Sequence, residues 1–304
     1  MKTIICTAAN QRFASLALDL FRSIRYKPQS TGTSIGLLDT GLTEAAADQF
    51  RNEVDHVVAP GWDLDFSKLE RADNRYPNEK WLNDNQGNQA MTARPNLPKH
   101  FPGYDIYIWI DADCWLQEWA VIEMLNEGAC DGSICIAAEL DRAYNHFYDQ
   151  GRVANWVNGV YESFFGPDIA GRLRNFPVLN TGVFALRVDS PLWARWHQAM
   201  KEAFSQRYDF FAEQCSLNRV VYIEDFPRNI LPATCNWLVN RGAILFDGET
   251  KTFVEPNLPY APLGIIHLSG RSKSKEHKLK VRGRRAMLET NLRYSPTRRD
   301  IKAQ

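Results

Sequence analysis

The amino-acid sequence predicts an α/β protein with one mixed central sheet in a single domain. Strand-like and helix-like patterns alternate through the first 60 residues, as they do in folds with a largely parallel sheet. No internal repeat and no low-complexity linker divides the 304 residues. The apolar content of 44% and the charged content of 24% are typical of a soluble globular protein, and the chain is long enough to bury a full core.

The N-terminal segment predicts three strands joined by two helices. Their order, β-α-β-α-β, indicates parallel strands wound as in a Rossmann-like sheet. No GxGxxG motif follows the first strand, which argues against a dinucleotide cofactor. The predicted elements are strands at Ile4–Ala8, Ser34–Leu38 and His56–Ala59 and helices at Phe13–Arg25 and Thr43–Phe50.

The rest of the chain continues the mixture of strands and helices. Arg142–Phe165 is rich in aromatic residues and has no clean period, and we interpret it as a candidate acceptor region or as core packing under a loop. The other predicted strands are Tyr104–Ile110, Ser133–Ala137, Phe176–Val188 (as strands around Asn180), Ile244–Phe246 and Gly264–His267, and the helices are Asn88–Arg94, Trp119–Glu127, Leu192–Phe204 and Glu213–Arg219.

The charge distribution sets the C-terminal end apart. The formal net charge is zero, so nothing in the total indicates a nucleic-acid partner. From Arg271 to the end there are 12 Lys and Arg residues against three Asp and Glu, which leaves an acidic body. We therefore expect a catalytic domain over residues 1–270 and a basic tail over residues 271–304. A tail of this kind either binds anionic lipid headgroups or forms a solvated helix or a disordered end.

Cysteine usage and hydropathy predict where the protein works. None of the six cysteines has metal-finger or CxxC spacing, and four of them lie in apolar contexts that suit buried, reduced thiols. No segment is apolar enough to span a membrane, and the N-terminus has no signal-peptide pattern. We expect a soluble, cytoplasmic protein, with peripheral contact to the inner face of the membrane if the tail binds lipid. The four cysteines are Cys6, Cys114, Cys135 and Cys215.

Asp111, Ala112 and Asp113 directly follow the most strand-like segment of the chain. Its nearly continuous apolar run predicts a strand that is buried on both faces. Because ligands of such sheets bind beyond the carboxyl ends of strands, the two carboxylates are placed to bind one divalent cation, Mn²⁺ or Mg²⁺, that also takes phosphate oxygens. The alternative is a surface turn in which Asp is merely common.

Four further segments, with Asp111 to Asp113, resemble in order the motifs of GT-A glycosyltransferases. Within that fold the resemblance is to the retaining family 8 enzymes, such as glycogenin and the bacterial lipopolysaccharide galactosyltransferases. It covers roughly residues 1–273. The segments, which resemble an NTG strand, a DQxxLN helix, a loop with an Asn and an HxxGxxK motif, are Leu179–Phe184, Glu213–Asn218, Pro232–Trp237 and His267–Lys273.

The resemblance implies a metal site and a donor site. Asp111, Asp113 and His267 are the expected metal ligands, and carboxylate with imidazole suits Mn²⁺. His267 ends an apolar strand, so the alternative role is a packed strand-end histidine. Lys273 is a point charge suited to a diphosphate. The other expected donor-binding residues are Thr7, Ala8, Asn10, Asp39, Arg94, Ala112, Asn180, Thr181 and Gly270.

Glu213 and Gln214 are the expected catalytic residues, because the family's acidic residue and glutamine face the anomeric carbon of the donor sugar. Glu replaces the usual Asp here, and the family's Pro-Trp does not follow Lys273. A carboxylate near an oxocarbenium-like centre stabilises charge or orients the sugar. The resemblance therefore implies transfer of a hexose from a UDP-sugar to a hydroxyl of a carbohydrate, lipid-linked or protein acceptor, with retention.

Three alternatives remain open at this stage. A sugar nucleotidyltransferase shares the sheet and the metal, but it has a glycine-rich stretch after the first strand, and Thr7–Phe13 contains no glycine. A sugar-nucleotide-binding protein of the same fold without activity need not keep its metal ligands. An inverting GT-A enzyme needs a catalytic base, a role that Glu213 fits if its placement differs.

Overall fold

The computed structural model describes residues 1–69, 79–144 and 152–296, with the backbone alone at 152–155. The strands are β1 (Thr3–Ala9), β2 (Ser34–Asp39), β3 (His56–Val58), β4 (Ile106–Ile110), β5 (Cys114–Leu116), β6 (Ile134–Ala138), β7 (Leu179–Arg187), β8 (Arg228–Leu231), β9 (Trp237–Leu238), β10 (Leu245–Asp247), β11 (Thr252–Val254), β12 (Ile265–His267), β13 (His277–Val281) and β14 (Met287–Thr290).

The helices lie between these strands, and most of them match the predicted positions. The helices are α1 (Ala14–Arg25), α2 (Glu44–Phe50), α3 (Glu79–Asp84), α4 (Gln89–Ala93), α5 (Leu97–His100), α6 (Ala120–Ala129), α7 (Arg152–Leu173), α8 (Leu192–Gln206) and α9 (Ala212–Ile223). No helix in this part of the chain is long and apolar enough to cross a membrane.

A seven-stranded mixed sheet forms the centre of the protein, in the order β3-β2-β1-β4-β7-β6-β8. The strands β1, β2, β3 and β4 are mutually parallel where they pair, which confirms the Rossmann-like start. The strand β7 runs antiparallel to both of its neighbours, β4 and β6. Because β7 is reversed, its N-terminal end lies beside the carboxyl end of β4.

The apolar run of β4 follows from burial on both faces of the sheet. Tyr107 and Trp109 pack on one face, in a cluster with residues of α8 and α9 such as Trp196. Ile108 and Ile110 point to the other face, where α1 and α6 cover the sheet. Alternate side chains of a strand face opposite sides, so a strand between two helical layers is apolar throughout.

Two segments before the C-terminal end differ from the sequence-based predictions. Phe176–Val188 contains one continuous strand, β7, rather than several, because the ladder with β4 continues from Val183 to Arg187. The acceptor candidate Arg142–Phe165 runs into α7, where the positive φ of Gly166 (77°) breaks the helix before Pro167. That break and the aromatic content hide the helical period. Residues 145–151 of this candidate lie outside the described residues.

The C-terminal segment is folded against the body, which corrects the expectation of a solvated helix or a disordered end for residues 277–290. β13 pairs parallel with β10, and β14 pairs antiparallel with β13, in a four-stranded sheet. Leu279 and Val281 are buried there, while Lys278 and Lys280, which alternate with them, are exposed. This alternation has the period of a strand, and it gives the basic segment an apolar inner face.

Candidate active site

The turn at Asp111 to Asp113 lies where three elements meet. Asp111 N donates to Gly182 O at 2.8 Å, which ties the turn to the N-terminal end of β7. After the turn, β5 leaves the central sheet and pairs antiparallel with β12, so that Cys114 lies opposite His267. Leu268 N donates to Asp113 O at 2.8 Å. Pairing of distant segments thus brings the predicted ligands Asp111, Asp113 and His267 together.

The guanidinium of Arg94 bridges two carboxylates at this edge of the sheet. Nη2 donates to Asp111 Oδ1 at 2.6 Å, and Nη1 donates to Glu213 Oε2 at 2.7 Å. The indole of Trp109 donates to the same Asp111 oxygen at 2.7 Å, and its ring lies 4.8 Å from the Arg94 carbon Cζ. The side chain predicted to contact the donor is therefore also the group that orients both acidic residues.

Glu213 lies at the first turn of α9 and is almost completely buried, with 2% exposure. Its Oε2 accepts from Arg94 and from Thr181 Oγ1, at 3.0 Å from the latter, whereas Oε1 has no hydrogen-bond partner among the described residues. Burial raises the pKa of Glu213 to about 7, although Arg94 and Thr181 favour the charged form. The carboxyl group thus changes charge near neutral pH.

Gln214 follows Glu213 and contacts the same strand. Its Oε1 accepts from Thr181 N at 3.2 Å and from Thr181 Oγ1 at 3.4 Å. Asn218, one turn further along α9, accepts from Leu179 N at 2.8 Å and donates to Leu179 O at 2.9 Å. The amide of Asn218 therefore fixes the helix to the start of β7 and sets Glu213 and Gln214 beside Thr181.

A second charged cluster surrounds Asp113. Lys273 Nζ lies 2.6 Å from Asp113 Oδ2, and His267 Nε2 lies 3.3 Å from Asp113 Oδ1. Burial raises the pKa of Asp113, but the charges of His267 and Lys273 outweigh burial and hold the pKa well below its ordinary value. The carboxylate is thus charged and available as a ligand at neutral pH.

The donor set of this cluster fits Mn²⁺ or Mg²⁺. The ligand atoms of Asp113, Cys114 and His267 lie within 4.8 Å of one another. Burial raises the pKa of the Cys114 thiol to about 11, so the sulfur is protonated at neutral pH in the metal-free protein. Carboxylate and imidazole remain, which suit a hard or borderline divalent cation.

Gly182 lets Asp111 approach this cluster, although Asp111 is not among the described residues whose ligand atoms lie within 4.8 Å of one another. A Cβ atom at this position would lie 2.7 Å from His267 Cε1, 2.9 Å from Asp111 Oδ2 and 2.7 Å from Asn180 Oδ1. Real Cβ atoms do not approach other atoms so closely. The hydrogen of Gly182 therefore permits Asp111, His267 and Asn180 to surround one point, and only glycine provides this space.

Both clusters line one cavity of about 780 Å³ at the edge of the sheet. Such a volume is in the range of small-molecule sites. The aromatic side chains of Trp156, Phe210 and Phe211 line it as well, and Trp156 belongs to the predicted acceptor region. The predicted site residues that line it are Ala8, Asn10, Arg94, Asp111, Ala112, Asp113, Asn180, Thr181, Glu213, Gln214, His267, Gly270 and Lys273.

Two predicted donor-binding residues are not among the residues that line the cavity. Thr7 is 1% exposed within β1, and its hydroxyl has no partner among the described residues. Asp39 Oδ1 accepts from Gly41 N at 2.9 Å and from Leu42 N at 2.8 Å, so this carboxylate closes its own loop. Tyr144 of the acceptor region is 1% exposed and packs on Trp237, which is a structural position.

Sequence reasoning missed several polar side chains of the cavity, among them Glu139, Asn240 and Arg241. Glu139 follows β6 and binds Asn180, Arg241 lies beside Glu139, and Asn240 accepts from Ser269 Oγ at 2.5 Å. Each sits in a segment without a recognisable motif. The one available signal was the strand-end position of Glu139, which is shared by many residues without a function.

The comparisons with known proteins agree with this fold. No protein-family model matches the sequence, and no curated protein matches it. Among solved structures, the galactosyltransferase LgtC in complex with donor and acceptor sugar analogs is similar, with a TM-score of 0.53, 13% identity and 88% coverage of each chain. The bifunctional glycosyltransferase WbbM has a TM-score of 0.54 and 16% identity over 88% of this chain and 46% of that chain.

The similarity establishes the architecture. The chain has the GT-A glycosyltransferase fold, with the mixed central sheet that the sequence predicts.

Proposed function

We propose that this protein transfers a hexose from a UDP-sugar to an acceptor hydroxyl, in a metal-dependent reaction that retains the anomeric configuration. The observation that carries the proposal is the presence of both charged clusters, around Arg94 and around Asp113, in one cavity of a GT-A fold. One cluster suits a cation and a diphosphate, and the other suits a sugar ring. Donor and acceptor sugar analogs occupy the similar structure of LgtC.

In this proposal Asp111, Asp113 and His267 hold Mn²⁺ or Mg²⁺, which neutralises the diphosphate leaving group when it is bound. Lys273 has its ammonium on Asp113, within reach of the same groups. It offers a positive charge to the β-phosphate as the sugar leaves. Ala8, near the end of β1, and Asn10, just beyond it, form the wall for the nucleoside, and Gly270 lets the backbone approach the diphosphate.

The sugar lies between Asn180, Glu213 and Gln214 in this proposal. Thr181 and Arg94 hold Glu213, so its carboxyl group is fixed before the substrate binds, and pre-organised groups cost no rearrangement during reaction. The other Glu213 oxygen, Oε1, is buried and has no hydrogen-bond partner among the described residues. The aromatic side chains Trp156 and Phe211 offer flat surfaces to the acceptor.

Retention is favoured over inversion by the partners of the carboxylates. An inverting enzyme needs a carboxylate that is free to take the acceptor proton. Asp111 and Glu213 share Arg94, Asp113 binds Lys273, and Glu139 binds Asn180. Asp111, Asp113 and Glu139 therefore each have a partner of opposite charge or an amide, and Glu213 shares Arg94 while its Oε1 has no partner among the described residues.

The test is nucleotide release from a panel of UDP- and GDP-sugars, with and without Mn²⁺, followed by NMR of the product. We expect metal-dependent release of the nucleotide from at least one UDP-hexose. The new glycosidic linkage should have the same anomeric configuration, axial or equatorial, as the donor sugar. Absence of release from every donor, together with absence of UDP binding, contradicts the proposal. UDP-sugar binding without turnover for any acceptor would indicate a binding protein of the same fold.

We also propose that the basic tail brings the protein to an anionic membrane surface. Lys278, Lys280, Arg284 and Arg285 are exposed on the β13–β14 hairpin, and each such charge contributes about 1 kcal/mol near an anionic surface. Sedimentation with phosphatidylglycerol vesicles tests this. We expect the wild-type protein to bind these vesicles and not to bind phosphatidylcholine vesicles. A variant in which all four residues are replaced by Ser should no longer bind. Equal sedimentation of the substituted protein would refute the idea.

A further inference from the structure

We infer that Asn236 is a positioning residue, which holds the proton of His267 on Nδ1 and thereby presents Nε2 to the metal. This inference rests on the proposed role of His267 as a ligand. It starts from a chain of hydrogen bonds along one wall of the cavity, in which Glu139, Asn180, Asn236 and His267 follow one another.

The direction of this chain is fixed by a backbone group. Gly182 N donates to Asn180 Oδ1 at 2.9 Å, and a backbone N–H can only donate. The oxygen of the Asn180 amide is therefore identified without ambiguity. Its nitrogen then faces Glu139 Oε1 at 2.8 Å, where a carboxylate accepts. Both ends of the Asn180 side chain agree on one orientation.

The orientation of Asn236 follows from that of Asn180. The Asn180 oxygen accepts a second bond at 2.9 Å, so the Asn236 atom that faces it must be the donor Nδ2. The other end of this amide is then the oxygen, which lies 2.9 Å from His267 Nδ1. Because the Asn236 amide oxygen has no hydrogen, it can only accept, so His267 Nδ1 must carry the proton.

The remaining nitrogen of His267 faces the metal site. Nε2 lies 3.3 Å from Asp113 Oδ1, and Asn236 and His267 are 2% and 6% exposed. Burial keeps water from replacing the Asn236 bond. A ligating imidazole needs one protonated nitrogen held by an acceptor and one bare nitrogen aimed at the cation, and such outer partners set the tautomer and the ring orientation. Asn236 supplies that acceptor.

Wild-type protein tests the inference without metal or substrate. In two-bond ¹H–¹⁵N correlation spectra of the metal-free protein, His267 is assigned among six histidines with a His267→Gln variant. As the pH rises, we expect His267 Nδ1 to keep its proton and Nε2 to be the nitrogen that loses its proton. Added Mg²⁺ should shift Nε2. A neutral His267 with its proton on Nε2 overturns the inference, whatever the activity.

Variants separate positioning from folding. Asn236→Leu removes the acceptor, and we expect a mixture of tautomers and Mn²⁺ binding weaker by roughly 10- to 100-fold, measured by EPR. Asn236→Asp keeps an acceptor for Nδ1 and should retain the tautomer and bind Mn²⁺ within a few-fold of wild type. Asn175→Leu, at an exposed site, is the control. Equal Mn²⁺ affinity in Asn236→Leu and wild type contradicts the inference.

The same experiments distinguish this inference from the proposed function. If the tautomer is as inferred but no sugar nucleotide is cleaved, the proposed function fails and the positioning role stands. If transfer is metal-dependent but the proton lies on Nε2, the positioning role of Asn236 fails and the proposed function stands.

Discussion

Glu213 makes the stability of the folded chain depend on pH in a defined direction. Its pKa of about 7 in the folded chain lies above the ordinary value of 4.5, because burial disfavours the charged carboxylate. Between these two pH values the unfolded chain has lost a proton that the folded chain still holds. Stability from this group is therefore present below the unfolded pKa and is lost as the pH rises through the folded pKa.

The size of the effect follows from the two pKa values. A change from 4.5 to about 7 corresponds to about 3 kcal/mol. Glu213→Gln removes the titration and keeps the shape of the side chain. We expect the free energy of unfolding of wild type, relative to Glu213→Gln, to fall by about 3 kcal/mol between about pH 4 and about pH 8.

Urea denaturation followed by tryptophan fluorescence measures this difference. The difference in free energy of unfolding between the two proteins cancels the contributions of the other titrating groups, which both proteins share. Glu127→Gln, at an exposed position on α6, is the control for loss of one negative charge. A difference between wild type and Glu213→Gln that stays constant with pH, or that grows in favour of wild type at high pH, refutes the reasoning about burial.

Three further predictions concern the site and its support. Asp113→Asn should abolish detectable Mn²⁺ binding by EPR and leave the circular dichroism spectrum unchanged; retained affinity would remove Asp113 from the ligand set. Lys273→Met should tighten Mn²⁺ binding in the absence of nucleotide, because the Lys273 ammonium, 2.6 Å from Asp113, competes with the cation for that carboxylate. The same variant should raise KM for the donor. Weaker Mn²⁺ binding would contradict this prediction. Asn218→Leu should lower the free energy of unfolding by about 3 kcal/mol, because Leu179 N and O lose buried partners, and a loss below about 1 kcal/mol in urea denaturation would show that water replaces them.

The elements with a regular apolar period could be predicted from the sequence. β4 and α8 are examples, because their patterns reflect burial that local sequence records. The hairpin of β13 and β14 shows the limit. Its alternation of Lys278, Leu279, Lys280 and Val281 has the period of a strand, but the basic composition of the segment predicts a tail that binds lipid, forms a solvated helix or is disordered. The apolar partner that decides between these interpretations lies in β10.

For the site, sequence indicates which residues have the right chemistry but not how they share partners. Asp39 and Asp111 both follow buried strands, yet Asp39 accepts from its own loop and Asp111 binds Arg94. Nothing local distinguishes the two carboxylates. The position of Arg94 between Asp111 and Glu213 likewise depends on the packing of α4 and α9 against the sheet, which joins residues far apart in the chain.

The pairing of β5 with β12 has a consequence for synthesis on the ribosome. β5 leaves the turn at Asp113 early in the chain, but its described antiparallel partner, Ile265–His267, is made much later. Until then the strand has exposed backbone groups on the side that β12 covers, and those groups need water as a partner. A nascent chain that stops before residue 265 contains β1 to β4, yet it lacks His267 of the proposed cation site. That proposed site is therefore complete only after this late segment has been made.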